Sequence, residues 1–196
     1  VGSRLPRLGN TTNNTSVTPF SGNVTNKTGL LPVKRVFVTS LTFNGNLGGL
    51  SGGDIKCKQA EINASLSGNW VAWLSTFNWT SATSGIAINA RDRIPNAGYF
   101  RLDGVKVADN KADLTDGTLD NPITVNEYTQ FASPPQGVWT GTKFSGTASA
   151  VDCAMWTEGT NLKQGTSGVF SSTIANWTDA APVLCNRAFR LYCFEL

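Results

Sequence analysis

The 196-residue chain has no histidine, one methionine and only four cysteines. Without histidine, the Ser–His and Cys–His nucleophile pairs are impossible. Zinc sites built from closely spaced Cys/His pairs are disfavoured as well, because no C-x-x-C spacing occurs. Cys57, Cys153, Cys185 and Cys193 therefore read as two disulfides, which implies an oxidising compartment. No apolar run approaches the roughly 18 residues that cross a bilayer, so no membrane insertion is expected. Acidic residues are missing from residues 1–35, which carry Arg4, Arg7, Lys27, Lys34 and Arg35. The remaining residues hold eleven basic against thirteen acidic side chains, so the net charge of +3 belongs to the N-terminal arm. A slightly acidic body in an oxidising compartment argues against nucleic acid as a partner.

Core-forming residues are also scarce at the start. Residues 1–28 are rich in Thr, Asn and Ser and cannot bury enough surface to fold alone. We read residues 1–34 as a leader or stalk, flexible or ordered against neighbouring copies, and residues 35–196 as one domain. Val1 opens a polar stretch without a signal-peptide pattern, and an export signal is expected to have been removed or to lie outside the sequence. Asn-x-Thr/Ser triplets occur at Asn10, Asn13, Asn14, Asn23, Asn26, Asn63, Asn78 and Asn176. They read as compositional bias in a bacterial protein, and would be glycosylated in a eukaryotic secreted one.

What is present is twenty glycines, six tryptophans and many short β-forming runs, the pattern of an α+β or β-rich domain with long loops. Residues 35–66 carry the strongest local signal: Val36, Val38 and Leu41 form a strand run, and Asn44-Gly45 and Gly48-Gly49 mark turns. A helix is expected from Asp54, with Ser51 or Asp54 as its cap. Ile55, Ile62 and Leu66 fall on one face of it, Cys57, Ala60 and Ala64 on an adjacent one, and Lys56, Lys58 and Glu61 are expected to stay wet. Further strands are expected at 70–75, at the hairpin 99–107 around Asp103-Gly104, at 138–140, 151–156 and 189–194, with loops over 109–137. Pairing the first strand with the last would bring Cys193 to the first helix. Four cysteines allow three connectivities. The nested one, Cys153–Cys185 inside Cys57–Cys193, is the expected choice.

The segments VFVTSLTFNGNLGGLSGGDIKCKQAEINASL, WVAWLS, VADNKADLTDGTLDNPI, CAMWTEGT and CNRAFRLYCFEL together resemble a bacterial secreted domain family related to the C-type-lectin-like fold and to the endostatin module of collagens. The resemblance covers roughly residues 35–196. It implies a mixed α+β fold with paired terminal strands, one or two helices, a long irregular loop region and two nested disulfides, a pattern the four cysteines fit in order. It also implies a surface adhesin. Members include spirochaete proteins that bind host matrix and plasma proteins, and a collagen-like adhesin that binds sulfated glycosaminoglycans as a trimer. Calcium-dependent sugar-binding lectins use Glu-Pro-Asn or Gln-Pro-Asp together with Trp-Asn-Asp. This chain has Ile94-Pro95-Asn96 and Trp177-Thr178-Asp179, each lacking a ligand residue.

The candidate binding residues are the cations Lys34, Arg35, Arg91, Arg93, Arg101, Lys106, Lys111, Arg187 and Arg190. Arg forks and Lys point charges recognise sulfate as they do phosphate, and threefold symmetry would multiply a small patch. Lys34-Arg35 and Arg187/Arg190 are expected to meet across the paired terminal strands. Trp70, Trp73, Trp139 and Trp156 read as core, whereas Trp79 and Trp177 lie in loop-like Asn-Trp-Thr contexts where stacking on a sugar ring competes with packing. Asp109, Asp113, Asp116 and Asp120 have the oxygen donors for Ca²⁺, but Asx turn-capping is the simpler reading and no metal or other cofactor is expected. Two carboxylates such as Asp152 and Glu158 have the chemistry of a glycosidase pair, but nothing in the sequence sets their separation. The expected function is thus a non-enzymatic adhesin domain. It binds sulfated glycosaminoglycan or a host matrix protein as a homotrimer, in a secreted or bacterial cell-surface setting. A protein-binding adhesin and a structural trimerising cap are the alternatives.

Overall fold

The computed structural model describes residues 31–80 and 84–196. The leader reading and five of the Asn-x-Thr/Ser triplets fall on residues 1–30 and lie outside the described residues. Among the described residues no helix is long and apolar enough to cross a membrane.

The chain begins its regular structure at β1 (Val33–Val38), two residues inside the span read as leader, and continues through α1 (Gly49–Asn63), β2 (Trp70–Ala72), β3 (Thr76–Trp79) and β4 (Gly85–Ile88). β5 (Gly98–Arg101), β6 (Lys106–Ala108), the single-turn helix α2 (Lys111–Leu114) and β7 (Gly137–Trp139) follow. β8 (Gln164–Val169), β9 (Ala181–Leu184) and β10 (Tyr192–Glu195) complete it. A five-stranded sheet runs β2-β10-β1-β5-β6, antiparallel except where β1 lies parallel to β5. β3–β4 is a separate hairpin, and β7-β8-β9 form a third, antiparallel sheet. The fold is mixed α+β.

Alternation along the central strands explains the two cores. Val36 and Val38 on β1 and Tyr192 and Phe194 on β10 point to one side, where Trp73, Tyr99 and Trp177 pack. Phe37 and Cys193 point to the other, where they meet Cys57, Trp70, Trp139 and Trp156. The first and last strands pair with Val36 opposite Phe194 and Val38 opposite Tyr192. Cys193 thereby reaches α1 and bonds Cys57, with Cys153–Cys185 nested inside.

Helix α1 differs from the sequence reading in start, cap and face. It begins at Gly49, five residues before Asp54, behind Gly48 in the left-handed conformation (φ 84°), where glycine is the unstrained residue. No side chain caps it. The buried stripe is Gly53, Cys57, Ala60 and Glu61, while Ile55 and Ile62 are 68% and 55% exposed. The disulfide fixes the helix's rotation, and small residues let it lie close to β2: a Cβ on Gly53 would come within 2.6 Å of Leu74. Ile55, two residues from Cys57, is then turned about 200° away. Glu61, expected wet, is 5% exposed and is paired with Lys58 at 2.7 Å.

Residues 151–156 are not a strand. Cys153, Ala154, Met155 and Trp156 all have positive φ (51–62°), making a left-handed turn of non-glycine residues. Asp152 holds it by accepting from the Met155 N–H (3.0 Å), and the Trp156 carbonyl accepts from the Leu47 and Gly48 N–H groups ahead of α1. The disulfide at Cys153 ties the turn to Cys185. The hairpin around Asp103-Gly104 is present as β5–β6, and the 109–137 stretch is irregular apart from α2.

Candidate functional site

Four of the nine candidate cations are absorbed into the fold. Arg93 Nη2 donates to both carboxylate oxygens of Asp54 (2.7 and 2.6 Å), and Nη1 donates to the Ala72 and Leu74 carbonyls. Arg101 is forked onto Asp103 (2.9 and 2.5 Å) and donates to Pro122 and Thr124. That contact holds the Asp103 carboxyl below the usual range. Arg190 is 4% exposed and threads its guanidinium among the carbonyls of Thr39, Ser40 and Ser133; burial lowers its pKa. Arg35 is forked onto Glu195 (2.9 and 2.7 Å) and lies over the Trp70 ring, a pairing that raises Arg35 and lowers Glu195.

Lys106 is occupied differently. Its ammonium lies 2.6 Å from Asp109 and 3.0 Å from Asp120, and those carboxylates raise its pKa. Asp109, Asp113 and Asp120 do gather their oxygens within 4.8 Å of one another. Lys106 already supplies the counter-charge there, while Asp113 accepts from the Asp109 N–H and Asp116 from the Thr118 N–H. The cluster has the bonding of capped turns.

The register also separates the two ends of the terminal strand pair. Arg35 faces Glu195, whereas Arg190 bonds Thr39 and Ser40 at the opposite end of β1. Positions 35 and 40 are five residue steps apart along extended chain, about 17 Å. Lys34 bonds the Leu196 carbonyl, and Arg187 is exposed on the turn before β10. These four residues form no single patch.

Arg91 and Lys111, twenty positions apart in sequence, are brought together. They line an open hollow of about 440 Å³ with Asp92, Asn96, Ala112 and Thr115. The turn after β4 carries Arg91, and α2, capped by Asn110 through the Ala112 and Asp113 N–H groups, carries Lys111. The Asn96 side chain accepts from the Lys111 N–H and locks the two segments (3.1 Å). Arg91 donates to the Ser145 carbonyl (3.3 Å), and its own N–H bonds the Gly146 carbonyl. Its nearest carboxylate is Asp92 at 3.7 Å, on a largely exposed side chain. Lys111 is in no ion pair among the described residues.

Two other hollows matter. One of about 290 Å³ lies between α1 and residues 39–43, lined by Leu41, Phe43, Lys56, Gln59, Ala60 and Tyr128, among others. Buried Glu127 fixes its wall by accepting from the Ser40 N–H (2.7 Å) and hydroxyl. The other, about 520 Å³, is walled by Trp79, Asp152, Leu162, Lys163, Gln164 and Leu184. Asp152, half of the glycosidase-like pair, is 7% exposed and its oxygens accept from Thr76, Phe77 and Met155, which makes it a structural anchor. Of the two loop-like tryptophans, Trp177 is fully buried and Trp79 is 56% exposed. Neither Lys163 nor the 290 Å³ hollow was among the sequence expectations; the polar run Thr157-Glu158-Gly159-Thr160-Asn161 ahead of Lys163 is the one local sign that this segment faces solvent.

Comparison with known proteins adds one match. The chain matches none of the curated proteins with which it was compared. Residues 40–174, more than half of the chain and most of the described domain, match the family described as protein of unknown function (DUF1554). The chain belongs to that family.

Proposed function

We propose that the domain is a non-enzymatic, extracellular binding module of C-type-lectin-like architecture that takes a sulfated glycosaminoglycan on Arg91 and Lys111. The observation that carries this reading is their convergence in one open hollow, where Arg91 meets only the exposed Asp92 at 3.7 Å and Lys111 is in no ion pair among the described residues. A guanidinium and an ammonium so placed offer a fork and a point charge to sulfate oxygens. Arg187 and Lys34 add accessible charge elsewhere, while Arg35, Arg93, Arg101, Lys106 and Arg190 serve the fold. A single subunit's pair makes a weak site, and a homotrimer would gain by avidity. Two disulfides suit a secreted or cell-surface setting.

The test is retention of the purified domain on immobilised heparin at low and moderate salt, with its solution mass measured alongside. Retention reversed by salt, in a trimer, supports the reading. Absence of retention at low salt refutes it. A protein-binding module is the second reading, favoured by the 290 Å³ hollow and the exposed Leu41, Ile55, Ile62 and Tyr128. Such contacts persist at moderate salt and are indifferent to loss of Arg91 and Lys111.

A further inference from the structure

Six tryptophans are present, and all lie among the described residues. Five are 0–4% exposed: Trp70, Trp73, Trp139, Trp156 and Trp177. Trp79 alone is open to solvent, at 56%, on the β3–β4 hairpin, and Phe77 braces its ring at 4.6 Å. Leaving an indole in water forfeits burial free energy that the other five gain.

The ring forms one wall of the 520 Å³ cleft. Leu162 (78% exposed) and Leu184 (39%) supply further apolar surface, and Lys163 and Gln164 supply a cation and a carboxamide. Accessible charge in this cleft is positive. Both oxygens of Asp152 are taken up, by Thr76 (2.6 Å), the Phe77 N–H (2.9 Å) and the Met155 N–H (3.0 Å), whereas Lys163 is in no ion pair among the described residues. The nearby acid Glu158 is turned to the Thr160 N–H (2.7 Å).

The cleft is also held in shape. Ala154, of the left-handed turn, lines it, and four successive non-glycine residues at positive φ persist only where surrounding structure over-determines them. Asp152 does this by bonding the turn and the base of the hairpin at once, with the Cys153–Cys185 bridge behind.

An exposed aromatic plate, apolar flanks, a cation and an amide match one class of group. A hexopyranose presents a C–H face to an aromatic ring and hydroxyls around its edge, and an acidic substituent completes the fit to Lys163. A hydrophobic peptide side chain would call for a more enclosed apolar pocket. We infer that Trp79, with Lys163 and Gln164, is a second saccharide subsite that stacks a hexopyranose carrying a carboxylate or sulfate. This rests on the glycan reading above but names a different site and a wider acidic sugar class. The segment 142–151 joins the two places: Ser145 and Gly146 bond Arg91, and Ala150 and Val151 line the cleft.

Trp79 reports on itself. Acrylamide quenching of intrinsic fluorescence should show one accessible component, which Trp79→Phe removes. Heparin and hyaluronan hexasaccharides are then titrated separately at low salt. Protection of the accessible component by either one supports the subsite. With the protecting hexasaccharide, Trp79→Ala should bind about three- to tenfold more weakly at an unchanged salt slope. Lys163→Ala should flatten the slope. No protection by either sugar, or Trp79→Ala binding within twofold of wild type, overturns the inference even if heparin retains the protein. Protection by hyaluronan alone, without heparin retention, sustains the subsite and refutes the sulfate reading.

Discussion

Replacing Asp54 by alanine separates two roles that its place near the start of α1 permits. As a helix cap, its loss would cost about 1 kcal/mol. In the structure it caps nothing. It accepts from the Ala72 N–H (2.9 Å) and takes Nη2 of Arg93 on both carboxylate oxygens, the Arg93 side chain being 14% exposed against 30% for Asp54. Removing one partner of a buried pair costs about 3–5 kcal/mol, and the partial exposure of both groups brings this to about 2–3 kcal/mol. For a domain of this size that lowers Tm by about 5–10 °C. The Ala72 and Leu74 carbonyls still receive Arg93, so the helix–strand contact should loosen without losing the fold. Calorimetry of Asp54→Ala, Arg93→Ala and the double variant gives the coupling, expected at about 1–3 kcal/mol. A Tm drop under about 3 °C, or strict additivity, would refute the assignment of Asp54 to the sheet.

The two disulfides differ in loop size. With separations of 136 and 32 residues, replacing Cys57 and Cys193 by alanine should cost about 5 kcal/mol and replacing Cys153 and Cys185 about 4 kcal/mol in urea unfolding; a loss below 1 kcal/mol for either would contradict the chain-entropy argument. Glu195 has its pKa lowered by the Arg35 fork, so the unfolded chain takes up this proton more readily. Its stabilisation is present above the unfolded carboxyl value of about 4.3 and is lost as pH falls through the lower folded value. Glu195→Gln should therefore flatten the acid limb of a stability–pH curve, and an unchanged limb would sink the linkage. Gly45→Ala would place a Cβ 2.4 Å from Cys153 Sγ and 2.8 Å from the Glu158 carbonyl, so a loss of about 1–3 kcal/mol is expected by denaturant titration. A neutral result would mean that the loop yields freely.

The pairing of the first and last strands was legible because β-forming runs such as that around Val36 and Val38 are local, although Leu41, read into the same run, lies beyond β1 and is exposed. The hairpin at Asp103-Gly104 was equally plain, since Gly104 takes the positive φ (83°) that the turn needs. The face of α1 was not legible. Ile55 and Ile62 make the more apolar stripe, but the bridge at Cys57 and the close approach at Gly53 turn the helix the other way, a long-range constraint outweighing a local pattern. The stretch from Val151 to Trp156 misled for a similar reason, since its alternation is overridden by Asp152 and the disulfide at Cys153.

The candidate site shows the same division. Cations are countable in a sequence, but their partners are not. Arg93 finds Asp54 thirty-nine residues back and Arg35 finds Glu195 one hundred and sixty residues on, pairings only the fold creates. Lys111 stays available because Asn96 and Asn110 fix its segment without a carboxylate on its ammonium, and Arg91, held by the Ser145 and Gly146 carbonyls, meets only the exposed Asp92 at 3.7 Å.

Arg91 and Lys111, among the candidate cations, are the pair proposed to carry an anionic glycan. The most direct measurement is heparin affinity against salt for wild type and for Arg91→Ala/Lys111→Ala, with Arg187→Ala as a surface-charge control. Loss of two ionic contacts should weaken binding at low salt and reduce the slope of log K against log salt by roughly one to two. The control should stay near wild type and all three proteins should melt alike. An unchanged slope in the double variant, with heparin still bound, would contradict the account.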